Sequence, residues 1–153
     1  MTPRLLATTL CLALAACGGN LYQSLNSRST LSAPDAFGCA RAQLKTLGYS
    51  QTSIDEMDRR VTVKKLDESV HRSDTQFRYL VHRITVQALP SADGNTDLQV
   101  EAHTFARYET QKGPEEREES ASSVVKSDVG TVLDKCAQPA GAGAVPQVVP
   151  PAQ

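Results

Sequence analysis

Two segments of the chain carry apolar residues at the spacing of an α-helix. In the first, from about Asp35 to Leu47, apolar residues recur at i, i+3, i+7 and i+10, and Asp35 can cap the helix. In the second, which starts at Ser120 or Ser122, they recur at i, i+4, i+7 and i+11. The sequence therefore predicts two helices with the apolar stripes Phe37, Ala40, Leu44, Leu47 and Val125, Val129, Val132, Cys136.

Between these helices, apolar and polar residues alternate, which is the spacing of β-strands. Short runs at 49–54 and 59–66 flank a polar turn and predict one hairpin. Two longer runs, 76–89 and 96–109, predict a second hairpin, followed by an exposed charged excursion at 110–119. This order predicts an α+β domain in which a four-stranded antiparallel sheet carries two helices on one face, α-β-β-β-β-α.

The loop between the two long strands sets which side chains share a face. A two-residue Asp93-Gly94 turn would split the apolar residues between both faces of the sheet. A three-residue loop that starts at Ala92, with Gly94 left-handed, places them together. We therefore predict the second register, with the pairs Ala88–Leu98, Val86–Val100, Ile84–Ala102 and Leu80–Ala106.

This register leaves a mixed aromatic and cationic surface on the sheet face away from the helices. Phe77 and Glu101 are expected there as well. Aromatic and arginine side chains together on an exposed face are typical of recognition surfaces. The alternatives are that these cross-strand pairs only stabilise the hairpin, or that a tail covers them. The predicted binding face consists of Tyr79, Val81, Arg83, His103, Phe105 and Arg107.

The start of the chain has the layout of an export signal. A single cation, Arg4, precedes the uncharged run 5–16. A helix that spans a membrane needs about 20 apolar residues, so this run is too short to span one. Small residues at its end lead directly into Cys17.

The sequence Leu14-Ala15-Ala16-Cys17 resembles the lipobox of bacterial lipoprotein precursors. The resemblance implies that the signal peptide 1–16 is removed, that the Cys17 sulfur receives a diacylglyceryl group, and that the new amino terminus is acylated, for example with palmitate. Two or more acyl chains make a stable membrane anchor. From the residues alone, a cleaved secretory signal with an incidental cysteine and an uncleaved short anchor stay open. Because Gly18 is not acidic, the resemblance implies the outer membrane, with the domain facing the periplasm.

Behind the lipobox, composition divides the chain into three parts. Residues 17–33 are rich in Ser, Asn and Thr and are expected to form a flexible tether. Residues 34–137 contain the predicted elements and form one small domain. Residues 138–153 are rich in Pro, Ala and Gly and are expected to be disordered.

Charge and cysteine usage narrow the classes of function that the sequence allows. The whole chain has 16 Lys and Arg against 17 Asp and Glu, so it lacks the basic surplus of nucleic-acid-binding proteins. An exported protein would oxidise the pair Cys39 and Cys136, and two antiparallel helices on one sheet face would bring them together. Two free buried thiols or a redox couple are the alternatives, although no Cys-x-x-Cys motif supports redox chemistry.

No catalytic or metal-binding motif is found in the sequence. The histidines His71, His82 and His103 do not have the spacing of metal ligands, and neither a nucleophile elbow nor a phosphate-binding loop occurs. We therefore expect no enzymatic activity, no metal and no cofactor. The sequence predicts a lipid-anchored envelope lipoprotein that contacts another envelope protein through a binding or scaffold domain. The alternative is a periplasmic lipoprotein that binds a small ligand or a lipid.

Overall fold

The computed structural model describes residues 22–137. Two helices and an antiparallel sheet confirm the α+β class, but the sheet has six strands instead of the four predicted. Both helices pack against one face of the sheet, where the main hydrophobic core lies. The elements are β1 (Gln23–Ser29), α1 (Ala33–Thr46), β2 (Ser50–Asp55), β3 (Arg60–Asp67), β4 (Phe77–Pro90), β5 (Thr96–Thr110), β6 (Gly113–Glu119) and α2 (Ser123–Cys136).

Strand β5 organises the sheet because it pairs with three other strands. The strand order is β1-β5-β4-β3-β2, and β6 also pairs with β5. Along one edge of β5, the first half pairs with β1 and the second half pairs with β6. The strands β1 and β6 therefore follow one another along the same edge and meet near His103.

Part of the segment predicted to be a flexible tether is instead strand β1. Residues 23–29, inside the segment expected to be flexible, pair with 96–102 of β5. Backbone pairing orders this polar segment, and Leu25 packs against the core. Ser29 also donates a hydrogen bond from Oγ to the carbonyl of Cys136 at 2.7 Å. The predicted lipidation site Cys17 and the signal peptide 1–16 lie outside the described residues, as does the tail 138–153.

Most of the segment predicted to be a charged excursion is instead strand β6. The segment is exposed, as expected, but it is a strand. Its glutamates are not the residues that usually form strands. Each of them has a cationic or histidine partner in the fold, so tertiary pairing outweighs intrinsic preference. The partners are Arg117 for Glu115, Arg83 and Arg107 for Glu116, His103 for Glu118, and Arg72 for Glu119.

The predicted register of the long hairpin is confirmed. All four predicted pairs between β4 and β5 are present, and Gly94 has a φ of 83° in the loop. Phe77 is an exception, because a bulge between Phe77 and Tyr79 moves its side chain to the opposite face. There it packs edge-on against Tyr108, and their ring centroids are 5.9 Å apart. Phe77 is therefore not part of the surface where it was expected.

The predicted disulfide between the helices is confirmed. Cys39 in α1 and Cys136 at the end of α2 are bonded, with their Cα atoms 5.7 Å apart. The N-cap of α1 is Ser32, not Asp35, and its Oγ accepts a hydrogen bond from the Asp35 amide. The helix layer is thus cross-linked at the point where both helices cover the sheet.

Candidate functional site: the open face of the sheet

The six residues predicted as a binding face lie together on the side of β4 and β5 away from the helices, which we call the open face. They form three directly opposed pairs, Tyr79–Arg107, Val81–Phe105 and Arg83–His103. Strand β3 extends this face, because Leu66 pairs with Val81 and is 47% exposed. Val81 is only 4% exposed, so it contributes packing beneath its neighbours and not a contact surface.

Four planar groups stack in a row across the open face. The Arg83 guanidinium lies 4.5 Å from the centroid of the Phe105 ring. The Phe105 ring stacks on His103 at 5.9 Å, and His103 stacks on Tyr22 at 5.1 Å. Each such cation–π or aromatic contact favours this arrangement by about 0.5–1.5 kcal/mol. The row is therefore a preorganised surface.

Two carboxylates of β6 pair with side chains of the predicted binding face. Glu116 accepts from Arg83 at 3.4 Å and from Arg107 at 3.1 Å, each through a different carboxylate oxygen. Glu118 lies 2.6 Å from Nδ1 of His103. This pairing supports the view that part of the face stabilises the hairpin, since Arg83, Arg107 and His103 each have a carboxylate neighbour on β6.

Sequence reasoning missed three members of the open face. Tyr22 lies in the segment expected to be a tether, and Glu116 and Glu118 lie in the stretch expected to be an excursion. None of the three belongs to an alternating apolar pattern. Only the two additional β5 ladders show that they reach this surface.

A polar recess of about 340 Å³ adjoins the row of planar groups. Its lining comes from β1, β3, β4 and β5 and is rich in amides and hydroxyls. Side chains of this kind exchange hydrogen bonds with a polar ligand or with water. The recess is lined by Ser24, Asn26, Arg60, Thr85, Gln87, Gln99, Val100 and Glu101.

A second concavity of about 630 Å³ lies on the helix side, between α1 and the strands β2 and β3. Val61, Val63 and Tyr49 provide its apolar lining, while Arg41 and Lys45 supply two cations from α1. Arg41 already donates to Glu56 at 2.9 Å. The volume of this concavity is within the usual range of small-molecule sites. Its two cationic side chains suit an anionic group.

His82 is fully buried on the helix side between the two hydrophobic clusters. Its Nδ1 lies 3.3 Å from Thr104 Oγ1 and 3.5 Å from Ser122 Oγ, and its Nε2 lies 3.6 Å from Asp67 Oδ2. Asp, His and Ser are the residue types of a hydrolase triad. However, the two long distances exceed ordinary catalytic hydrogen bonds. Ser122 Oγ also accepts from the Val125 amide as the N-cap of α2, so we assign the cluster a structural role.

Within residues 22–137, no group of three or more His, Cys, Asp and Glu side chains is placed to hold a metal ion. His82 and His103 lie on opposite faces of the sheet, as their register predicts. None of the helices in this range is long and apolar enough to cross a membrane.

No protein-family model matches the chain, and no curated protein matches it significantly.

Proposed function

We propose that the chain is a lipid-anchored lipoprotein of the bacterial cell envelope whose domain binds another envelope protein through the open face. The observation that carries this proposal is the short distance in sequence between the lipobox Cys17 and the open face, which Tyr22 joins by stacking on His103. The preorganised row of aromatic and cationic groups suits recognition. We propose that this role is non-catalytic, that it needs no cofactor, and that the protein is located at the outer membrane, facing the periplasm.

The anchor is tested by replacing Cys17 with serine. We expect the Cys17→Ser variant to lose essentially all palmitate labelling and to leave the membrane fraction, because stable anchoring requires the acyl chains. Cys11→Ser is the matched control, since Cys11 belongs to the signal peptide and should not carry lipid. Metabolic labelling and membrane fractionation measure both effects. Labelling that persists in Cys17→Ser would remove the lipoprotein assignment.

The open face is tested with the double variant Tyr79→Ala and Phe105→Ala. We expect recovery of the bound envelope protein after in-cell cross-linking to fall at least tenfold, because aromatic anchors at an interface often contribute about 2 kcal/mol or more. Val124→Ala is the control, since Val124 lies on α2 and is 39% exposed. Thermal unfolding of both variants checks that they are folded. Equal recovery from the folded double variant and the control would exclude this face.

The concavity beside α1 favours a second candidate function, the binding of an anionic amphiphile. Arg41 and Lys45 would meet the anionic group, and the exposed Ala42 beside them would meet the apolar part. Native mass spectrometry of the delipidated protein tests this role. A co-purifying fatty acid or lipid that is lost in the Arg41→Ala, Lys45→Ala variant would support it, and a ligand-free protein that shows no thermal shift with such lipids would argue against it.

A further inference from the structure

The described residues begin at Tyr22, on the open face. Gln23 is the first residue of β1 and pairs with Ala102, so the position of Tyr22 is fixed by the sheet. The Tyr22 ring then stacks on His103, a residue of the open face, at an interplanar angle of 20°. Tyr22, the first described residue, therefore lies on this surface.

Two other routes away from Tyr22 are occupied by the protein itself. Along the sheet edge, β6 comes next, because Glu119 pairs with Thr104 only two residues beyond the Gln23 partner. On the helix side, the connection from β6 to α2 passes the same point. There the Ser122 amide donates to Thr104 Oγ1 at 3.0 Å, and Ala121 is buried. Around Tyr22, these elements leave the open face and the outer side of the edge unfilled.

The connection from Tyr22 to the anchor is short. Cys17 precedes Tyr22 by five residues, and an extended chain spans at most about 3.6 Å per residue, which gives about 18 Å. This reach is comparable with the radius of gyration of a domain of this size, about 13 Å. If Cys17 is anchored, Tyr22 and the face on which it lies can therefore be no more than about 18 Å from the point of attachment.

We propose that the open face is the side of the domain turned toward the anchoring membrane, and that its partner is a membrane-embedded protein displayed at the bilayer surface. This inference rests on the proposed function, because it requires lipid on Cys17. A partner that lies far from the membrane could not reach the face without displacing the domain from its anchor.

The charge of the face favours a protein over bare anionic lipid as its occupant. Binding to anionic headgroups requires clusters of unpaired lysine and arginine. Among the described residues of the open face, the cations alternate with carboxylates and do not form a cluster of their own: Arg60, Lys64, Arg83 and Arg107 lie among Glu101, Glu116 and Glu118, and Glu116 pairs with both Arg83 and Arg107. A surface of mixed charge with aromatic and arginine side chains is instead typical of protein interfaces.

The orientation is tested with tryptophan reporters, because the sequence contains no tryptophan. Leu66→Trp places a reporter on the open face, and Val124→Trp places its control on the helix layer; the native residues are similarly exposed, at 47% and 39%. The acylated full chain is reconstituted in vesicles that contain a dansyl-labelled phospholipid. We expect energy transfer to the lipid to be at least twofold stronger from Leu66→Trp. Equal transfer, or stronger transfer from Val124→Trp, would overturn the orientation.

Two controls separate this inference from the proposed function. Intact mass shows whether Cys17 is acylated, and an unmodified Cys17 would overturn the proposed function and the orientation together. Acylated protein without the difference between reporters would overturn the orientation alone. Transfer that persists when Cys17→Ser is added would mean that the bilayer itself is the occupant, which would overturn the protein partner.

The partner class is tested in cells with a photocrosslinking amino acid at residue 66, and at residue 124 as the control. We expect an adduct from residue 66 alone, with the cross-linked peptide coming from a protein that has membrane-spanning segments and close to one of them in its sequence. An adduct with a soluble protein, an equal adduct from residue 124, or no adduct from residue 66 would contradict the assignment.

Discussion

Replacing Cys39 and Cys136 with alanine should lower the free energy of unfolding by about 2–5 kcal/mol. The bridge joins positions 97 residues apart and so closes nearly the whole described domain into one loop. For a loop of about 100 residues, the chain-entropy model gives ~4.7 kcal/mol, as an upper expectation. Urea unfolding of the double alanine variant, in the Cys17→Ser background for purification without detergent, measures the loss.

Reduction provides the control for this prediction. Dithiothreitol should destabilise the oxidised parent protein by a similar amount and leave the alanine variant unchanged. A double variant as stable as its oxidised parent would contradict the expectation that the bridge stabilises the fold. The same result would show that α1 and α2 are held on the sheet mainly by their apolar stripes.

The register of the central hairpin could be predicted because two kinds of signal agree there. The alternating residues of β4 and β5 reach one face in only one register, and Gly94 accommodates the left-handed turn that this register requires. A slip by one residue would expose the whole apolar set. The disulfide could be predicted from the same geometry, because two antiparallel helices that cover one face of the sheet bring their cysteines together.

The edge strands β1 and β6 could not be predicted from hydrophobic pattern. Residues 23–29 are nearly all polar, and 113–119 are mostly glutamate. Both segments become strands because β5 offers them a backbone edge, and β6 gains ion pairs in addition. These causes lie in tertiary partners far away in sequence, so a local pattern does not contain them.

The candidate site was predictable only in its central part. The three pairs from Tyr79–Arg107 to Arg83–His103 follow from the hairpin register. The bulge that removes Phe77 from the face depends on the ladder beyond Tyr79, which alternation does not specify. Tyr22 joins the face through β1, and this single difference turns an expected long tether into a short connection.

His82 should make the protein less stable in mild acid. Thr104 Oγ1 accepts from the Ser122 amide, so its own proton can go to Nδ1 of His82 at 3.3 Å. The ring is then neutral with its proton on Nε2, which lies 3.6 Å from the Asp67 carboxylate, too far for a good hydrogen bond. Burial lowers the pKa of His82 below its ordinary value of 6.5, and it outweighs the opposite effect of Asp67.

The direction of the pH dependence follows from proton binding. Below about pH 6.5, His82 in the unfolded chain takes up a proton, whereas the folded protein keeps the ring neutral. The free energy of unfolding should therefore fall as the pH decreases from 6.5 to the lowered pKa of the folded state, by at most about 1.4 kcal/mol per pH unit. Ser69 holds the pKa of Asp67 below 3.8, so the loss of stability from protonating that carboxylate begins only at lower pH.

Urea unfolding between pH 7.5 and 5 tests this effect of His82. The variant His82→Gln cannot be protonated and should show a much flatter dependence than the wild type, even if it is less stable at every pH. His71→Gln is the matched control, because His71 is exposed in the connection before β4, and it should keep the wild-type slope. Equal slopes in wild type and His82→Gln would show that the buried ring is not the group whose protonation destabilises the fold. Any loss of stability in acid would then have to come from another titratable group.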